Sequence, residues 1–303
     1  MSKQQQKSVS LVLGSGGARG LAHIGVIKWL EQNGYVIRSI AGSSMGALIG
    51  GIYASGKLDI YEHWVKALRK RDVMQLLDFA YSRAGLFSGD RIIKQLREML
   101  GDTLIEDLPI SFTAVATDLD AGREVWLTRG SLFDAIRASI AIPTIFTPTT
   151  YHGHLLVDGG LLNPVPIAPT LKDITDITVG VSLSGKEESL VAPEENHEEH
   201  KKIKNGYQSA IAEFIEDLRI RFTREEEETD VNVIELMSRS LEAMGHLITR
   251  FKLAAYNLDY LVEIPANACG IFEFHRADEM IKLASLISLK RASAWALPWF
   301  TSG

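Results

Sequence analysis

The sequence predicts an α/β fold with a largely parallel central sheet, helices on both faces and a helical C-terminal region. Short apolar runs of strand length alternate with helix-like stretches from residue 8 to about residue 183, a pattern typical of parallel sheets covered by helices. Glycine-rich junctions follow the first two runs, and such folds place their sites at the carboxyl ends of their strands. We expect a core over residues 8–185, a charged mobile loop over 186–206, and a helical region over 207–303 that packs on the core.

The first apolar run, Ser8 to Leu13, is predicted to be a buried strand that enters a glycine-rich segment and then a helix reaching Leu30. We call this segment, Gly14-Ser15-Gly16-Gly17-Ala18-Arg19-Gly20, the glycine loop. Its backbone N–H groups could cradle a phosphate or form an oxyanion hole for acyl transfer. A dinucleotide fingerprint would need glycine where Arg19 stands and an acidic residue after the next strand, so the oxyanion hole is favoured. No phosphate-binding G-x-x-x-x-G-K-[ST] motif occurs in the chain.

The second run, Val36 to Ala41, leads into Gly42-Ser43-Ser44-Met45-Gly46 and a helix-like stretch. A G-x-S-x-G motif between strand and helix predicts a nucleophile elbow with Ser44 at its tip. The two glycines permit a tight turn, and the amide end of the helix would stabilise negative charge beside the serine. The alternative is a tight turn whose serine only caps the helix.

Helix-like sequence continues from Ser44 to Leu100 and is followed by strand-like runs at 112–117 and 124–128 and a helix near 133–140. The run Leu155 to Val157 then ends in Asp158-Gly159-Gly160. A carboxylate at this strand end is a candidate base for a serine hydroxyl, and the alternative is that Asp158 only opens a β-turn. A last core strand is expected over 177–182.

Histidines offer a competing triad. The histidines after Asp158 are in a run of glutamates or on helix-like stretches, which favours solvated or structural roles. His23 lies near the glycine loop, where a structural role is equally expected, and His152-Gly153-His154 resembles a hairpin tip without the additional ligands that a metal needs. The four histidines that follow Asp158 are His197, His200, His246 and His275.

Three motifs in this order resemble the signatures of the patatin-like phospholipases, in particular the bacterial branch related to neuropathy target esterase. They are residues Ser15 to Gly20 of the glycine loop, the elbow from Gly42 to Gly46, and Asp158-Gly159-Gly160. The resemblance implies a Ser–Asp dyad with Ser44 as nucleophile and Asp158 as base. It also implies an oxyanion hole and a supporting set of motif residues. The oxyanion hole is assigned to Gly16 and Gly17 with Ala18, and the supporting residues are Ser15, Arg19, Gly20, Gly42, Gly46, Gly159 and Gly160.

The function implied is hydrolysis of fatty acyl esters of phospholipids or lysophospholipids, without metal or cofactor. Acyl transfer at the same site, and a catalytically weak regulatory or lipid-binding protein of the same fold, stay open as alternatives. A nucleotide-dependent oxidoreductase is disfavoured by the spacing of the glycine loop. This chain departs from the family that it resembles at Ser15, a position where many members of that family carry glycine.

Composition limits the partners and the compartment. The chain has 303 residues, 32 basic and 38 acidic side chains, a net charge of −6 and one cysteine, Cys269. This excess of acidic over basic side chains does not indicate a basic surface for nucleic acid. A single cysteine excludes an intramolecular disulfide. The polar N-terminus and the lack of a long apolar segment predict a soluble cytoplasmic protein, with peripheral membrane contact as an option.

Two apolar segments and the C-terminal helices invite more than one interpretation. Leu76 to Tyr81, with Ala84 to Phe87, could line an acyl pocket, form a flap or pack in the core. The aromatic residues near the C-terminus could contact a membrane or a partner, or complete the core. The C-terminal helices could cap the core, act as a lid or form a homodimer face, and they include a late strand over 258–264 and a closing helix over 276–296. The apolar residues at the C-terminus are Trp295, Leu297, Trp299 and Phe300.

Overall fold

The computed structural model describes residues 6–76, 85–151, 153–187 and 233–294. The chain divides into two compact units, of which the larger comprises residues 1–188 and 237–303 and the smaller residues 189–236. The description below concerns the larger unit. Its helices and strands are β1 (Ser8–Leu13), α1 (Ala22–Gln32), β2 (Val36–Ser43), α2 (Met45–Ala54), α3 (Leu58–Ala67), α4 (Lys70–Leu76), β3 (Gly85–Phe87), α5 (Asp90–Leu100), β4 (Ser111–Asp118), β5 (Arg123–Leu127), α6 (Leu132–Ser139), β6 (Thr144–Phe146), β7 (Thr149–Tyr151), β8 (His154–Asp158), β9 (Ile177–Gly185), α7 (Val233–Ala255, which begins in the smaller unit), β10 (Tyr260–Pro265) and α8 (Ala277–Ala294).

Among the described residues, one sheet of eight strands forms the centre, in the order β10-β9-β1-β2-β4-β8-β7 with β5 paired to β4. The pairs from β10 through β4 are all parallel. The strands β5, β8 and β7 join antiparallel at the other end. The largely parallel α/β sheet expected from the alternating pattern is therefore confirmed, and the antiparallel end is an addition to it.

Both faces of the sheet are covered, as the sequence predicted. Successive side chains of a strand point to opposite faces, and in β1 the residues Leu11 and Leu13 belong to the main hydrophobic core whereas Val12 belongs to a second, smaller cluster. The main core contains the buried sides of α1, α2 and α8. The smaller cluster brings Val12 together with Val165, and Leu253 of α7 packs against it.

The C-terminal region contributes a strand to the sheet itself. The late strand expected over 258–264 is β10, and it pairs in parallel with β9. The closing helix is α8, which packs along α1 and against β10. The expectation of helices alone between Ser44 and Leu100 is wrong at Gly85–Phe87, because these three residues form β3 and pair with β6. A strand of that length is too short to show an alternating pattern.

Several features expected from the sequence lie outside the described residues. Among the described residues, no helix combines the length and the apolar character needed to cross a membrane. The features outside the description are most of the charged loop over 186–206, the helical pattern over 211–222, His152, His197 and His200, the segment 77–84 and the aromatic residues from Trp295 onward.

Candidate active site

The register of β4 brings the ends of β2 and β8 side by side. Val115 is paired with Ser43 at the end of β2, and the next residue, Ala116, is paired with Asp158 at the end of β8. Ser44 follows directly, and its Oγ donates a hydrogen bond of 2.6 Å to Asp158 Oδ2. Both side chains are buried. The structure thus joins the serine and the aspartate of two motifs that are far apart in the sequence.

Ser44 has the strained backbone of a nucleophile elbow. Its φ of 54° and ψ of −123° are unusual for a residue with a side chain. The turn leaves no room beside it, since a Cβ added to Gly42 would lie 2.3 Å from the carbonyl oxygen of Gly46, and one added to Gly46 would lie 2.0 Å from that of Leu13. Ser44 makes no side-chain cap to α2. The alternative of a helix-capping serine is therefore wrong, because the hydroxyl is directed to Asp158.

A second serine holds the backbone of this elbow. The amide of Ser44 donates to Ser139 Oγ at 2.9 Å, and that hydroxyl in turn donates to the carbonyl oxygen of Val115 at 2.6 Å. Ser139 ends α6 and is fully buried. One hydroxyl therefore connects the nucleophile, the end of α6 and β4. No sequence motif marks Ser139.

The two carboxylate oxygens of Asp158 have separate roles. Oδ2 accepts from Ser44, and Oδ1 accepts from the amide of Gly160 at 2.6 Å. The turn expected from the Asp-Gly sequence is therefore present, and the same side chain also contacts the serine. Gly159 is required at this point because an added Cβ would lie 2.0 Å from the carbonyl oxygen of Val115.

Burial raises the pKa of Asp158 to about 7, although the hydrogen bonds from Ser44 and Gly160 act in the opposite direction. A carboxyl group with a pKa near neutrality can accept a proton and return it within one reaction cycle. Among the described residues, no histidine is hydrogen-bonded to Ser44 or Asp158. Within the described residues, the side-chain partner of Ser44 Oγ is therefore a carboxylate and not an imidazole.

The glycine loop lies beside the dyad, with some of its amides already bonded. Gly14 donates to Val181, and Ser15 donates to Pro164. The Ala18 amide donates to the carbonyl oxygen of Ile271 at 2.9 Å, so its assignment to the oxyanion hole is wrong in this structure. Within the described part of the chain, the amides of Gly16 and Gly17 donate no hydrogen bond. Together with Ser44 these two glycines line one cleft.

His23 holds the start of this loop. Its Nε2 lies 2.8 Å from the carbonyl oxygen of Gly14, and the ring is fully buried. Burial lowers the pKa of His23 to about 4, so the ring is neutral at pH 7. Because a carbonyl oxygen only accepts, Nε2 must carry the ring proton. His23 is therefore an anchor of the glycine loop.

Arg19 connects the glycine loop to the C-terminal part of the chain. Its guanidinium donates to the carbonyl oxygen of Ala266, after β10, and to Glu242 Oε1 of α7 at 2.6 Å. The Arg19 side chain is 8% exposed. This ion pair holds the glycine loop against α7.

A further contact joins the elbow to the segment after Asp158. Ser43 Oγ donates to the carbonyl oxygen of Asn163 at 2.6 Å, and the Asn163 amide donates to that of Gly159 at 2.8 Å. The Asn163 side chain donates to Glu124. Neither Ser43 nor Asn163 has a role predicted from the sequence. The position of Asn163 just after the Asp-Gly-Gly motif is the one local signal.

Two cavities of different character meet at Ser44. One is a cleft that contains Asp158, Gly16 and Gly17 together with polar side chains. The other is an apolar pocket with about 810 Å³ of empty space, part of it open to solvent. Leu76, the first residue of the segment expected to line an acyl pocket, is one of its walls. Polar residues of the cleft include Ser15, Arg19, Ser184, Glu242 and His246, and apolar residues of the pocket include Leu48, Trp64, Leu68, Leu96, Phe146 and Phe272.

The site is built from hydroxyl, carboxylate and amide groups. In the part of the chain that the structure describes, no group of three histidine, cysteine, aspartate or glutamate side chains is placed to hold a metal ion. A serine hydroxyl bonded to a buried carboxylate can attack a carbonyl carbon. The neighbouring amides of Gly16 and Gly17, which have no acceptor among the described residues, can donate to the oxyanion that forms.

Comparison with known proteins finds related sequences. The family model for patatin-like phospholipases matches residues 11–171. An uncharacterized NTE family protein of Mycobacterium tuberculosis is 37% identical, and the match covers 95% of this chain and 92% of that protein. Neuropathy target esterase sws of Drosophila persimilis is 38% identical over 166 residues, which are 52% of this chain and 12% of the esterase. The crystal structure of VipD from Legionella pneumophila aligns with a TM-score of 0.45 at 14% identity, covering 96% of this chain and 67% of VipD.

Proposed function

The chain belongs to the patatin-like phospholipase family, and from that premise we propose that it is a serine esterase that hydrolyses fatty acyl esters of phospholipids or lysophospholipids through an acyl-enzyme. The observation that carries the proposal is the 2.6 Å hydrogen bond from Ser44 Oγ to Asp158 Oδ2. This dyad lies where the apolar pocket and the polar cleft meet.

The reaction begins with proton transfer from Ser44 to Asp158 as the serine oxygen attacks the ester carbonyl carbon. The amides of Gly16 and Gly17 donate to the oxyanion of the tetrahedral intermediate, and the N-terminus of α2 adds positive potential beside Ser44. When the intermediate collapses, the bond to the alcohol breaks and Asp158 returns its proton to the leaving oxygen. Water then attacks the acyl-enzyme by the same route and releases the fatty acid.

The two cavities suit the two halves of such an ester. The apolar pocket can take a hydrocarbon chain, because side chains such as Leu48 and Phe146 form its walls. The polar cleft can take the alcohol side, where Arg19 and Glu242 supply charge. The two cavities meet at Ser44, and the carbonyl carbon of the ester has to lie at this point.

Treatment with a fluorophosphonate is expected to add one phosphonyl group to the native chain and none to Ser44→Ala, as measured by intact-protein mass spectrometry. The reagent replaces its fluoride with a serine oxygen and therefore reports an activated nucleophile. Ser10→Ala is a matched control, since Ser10 is also fully buried but lies in β1 and bonds to Thr175. An adduct that persists in Ser44→Ala, or a native chain that does not react, would contradict the proposal.

Replacement of Ser139 by alanine is expected to lower kcat by about 10- to 100-fold with little change in KM for a water-soluble ester. The change removes the acceptor for the Ser44 amide and leaves the buried carbonyl of Val115 without its donor, so Ser44 is no longer held in its strained backbone conformation. Steady-state kinetics measure the effect, and Ser139→Cys should recover part of kcat. Ser10→Ala loses a comparable buried hydroxyl, so an equal fall of kcat in both variants would assign the effect to general destabilisation.

A further inference from the structure

Helix α7 has two faces of different character, and we propose that its outer face docks on a lipid bilayer and brings the catalytic cleft to its substrate. This inference rests on the proposed function. The outer face of α7 is defined by Met237, Met244, Leu247 and Phe251, which are 42%, 50%, 51% and 66% exposed.

Met244, Leu247 and Phe251 form one stripe of neighbouring side chains, and Met237 lies on the same side two turns before Met244, with the exposed Ser240 between them. Met237, Met244 and Phe251 recur at every seventh position of the helix, and Leu247 lies one turn from each of the last two, so all four point to the same side. At the rise of an α-helix the four side chains span about 21 Å. Single exposed apolar residues are common on proteins, whereas a contiguous apolar stripe indicates a contact surface.

The opposite face of α7 belongs to the catalytic unit. Leu241, Glu242, Gly245 and His246 line the cleft that contains Ser44. Glu242 is held by Arg19, and Leu253 packs against the smaller hydrophobic cluster. The inner face therefore holds the helix in place, and the outer face lies on the opposite side of the same helix, about 10 Å from the wall of the cleft. A surface that binds lipid at this position would hold the bilayer within about one helix diameter of the cleft.

The charge and the size of the stripe favour a bilayer over a second copy of the chain. Arg250 is exposed three residues after Leu247 at the border of the stripe, and a basic residue beside an apolar helical face is typical of helices that lie on anionic membranes. Four half-exposed side chains offer on the order of 400 Å² of apolar surface, whereas a stable dimer buries about 800 Å² on each partner. A bilayer needs no complementary partner surface, so a stripe of this size is sufficient for shallow insertion.

The test is sedimentation with sucrose-loaded vesicles of phosphatidylcholine and phosphatidylglycerol. It uses the full chain with Ser44→Ala, so that hydrolysis does not alter the vesicles. The triple variant Met244→Ser, Leu247→Ser, Phe251→Ser is expected to bind at least tenfold more weakly, because its apolar contact is removed. The matched control is Leu171→Ser, Leu286→Ser, Leu289→Ser, which changes three leucines with exposures of 61%, 57% and 57% elsewhere and is expected to bind as the parent does.

A kinetic measurement in the chain with Ser44 intact separates this inference from the proposed function. Hydrolysis of a short, water-soluble ester should be unchanged by the triple variant, whereas hydrolysis of phospholipid in vesicles should fall with binding. If the fluorophosphonate test fails while vesicle binding depends on the outer face of α7, the proposed chemistry is wrong and the docking surface stands.

Three results would overturn the inference: no binding of the parent to vesicles, equal binding of the triple variant and its parent, or equal losses in the triple variant and the control. A native chain that is dimeric in light scattering and becomes monomeric in the triple variant would assign the face to a contact between two copies. Thermal unfolding of each variant checks that the fold is retained.

Discussion

Replacement of Asp158 by asparagine is expected to lower kcat/KM for a soluble ester by about 10³-fold or more, because the variant has no base for the Ser44 proton. Asparagine fits the site: its carbonyl oxygen can accept from the Gly160 amide, as Asp158 Oδ1 does, and its NH₂ group can donate to Ser44 Oγ. The fold is therefore retained while the chemistry is lost. Steady-state kinetics with purified protein measure the effect, and activity within tenfold of native would contradict the role of Asp158.

The pH dependence of the same pair of proteins tests the assignment independently. Asp158 is a base only when it has lost its proton, so the kcat/KM of the native chain should rise as the pH passes its pKa of about 7 and level off above it. The residual activity of Asp158→Asn should lack this rise. A native profile that stays flat between pH 5 and 9 would show that another group takes the proton.

As the pH rises through about 7, the contribution of Asp158 to the free energy of unfolding should fall while the activity rises. The pKa of Asp158 is raised from 3.8 to about 7 on folding, so the folded chain holds its proton more tightly than the unfolded chain does. The stability that this group contributes is fully present below the ordinary carboxyl pKa and is lost as the pH rises through about 7. Asp158→Asn carries no such charge, so its free energy of unfolding should exceed that of the native chain at pH 8, with the advantage disappearing near pH 4.

The local parts of the site could be predicted from the sequence because their chemistry depends on neighbouring residues. Gly42 and Gly46 mark the elbow of Ser44, and Asp158 stands at the end of an apolar run between a strand and two glycines. Each pattern describes a turn that few other residues can form. Their order along the chain was sufficient to identify the family, although each motif by itself has ordinary structural explanations.

The supporting contacts could not be predicted, because they join residues that are distant in the chain. Ser139 reaches the Ser44 amide across 95 positions, and Asn163 meets Ser43 across 120. Ala18 was assigned to the oxyanion hole from its place in the motif, yet the carbonyl of Ile271 takes its amide. Hydrophobic periodicity identifies a strand, but it does not determine which strand is its neighbour or whether the two pair in parallel or antiparallel orientation.

Substitution of Gly46 by alanine is expected to lower the free energy of unfolding by about 3 kcal/mol or more, among the larger effects of a single methyl group. The added Cβ would lie 2.0 Å from the carbonyl oxygen and 2.5 Å from the carbonyl carbon of Leu13. Both atoms belong to the backbone of β1, the strand that carries the glycine loop, so relief requires movement of a central strand and not of a flexible side chain.

Gly245→Ala is the matched control, because Gly245 is also a helical glycine but has no atom within 4 Å of an added Cβ. Alanine has the higher helix propensity, so this variant should gain about 0.5–1 kcal/mol. Denaturant unfolding measures the free energy of unfolding of both variants. The slope of that free energy against denaturant concentration is compared with the native slope, to check that the unfolded state is unchanged. A lower free energy of unfolding in Gly46→Ala together with a higher one in Gly245→Ala would assign the loss in Gly46→Ala to the contact between α2 and β1. A loss in both variants would contradict that contact as the cause, and a Gly46→Ala chain as stable as native would show that the elbow can open without cost.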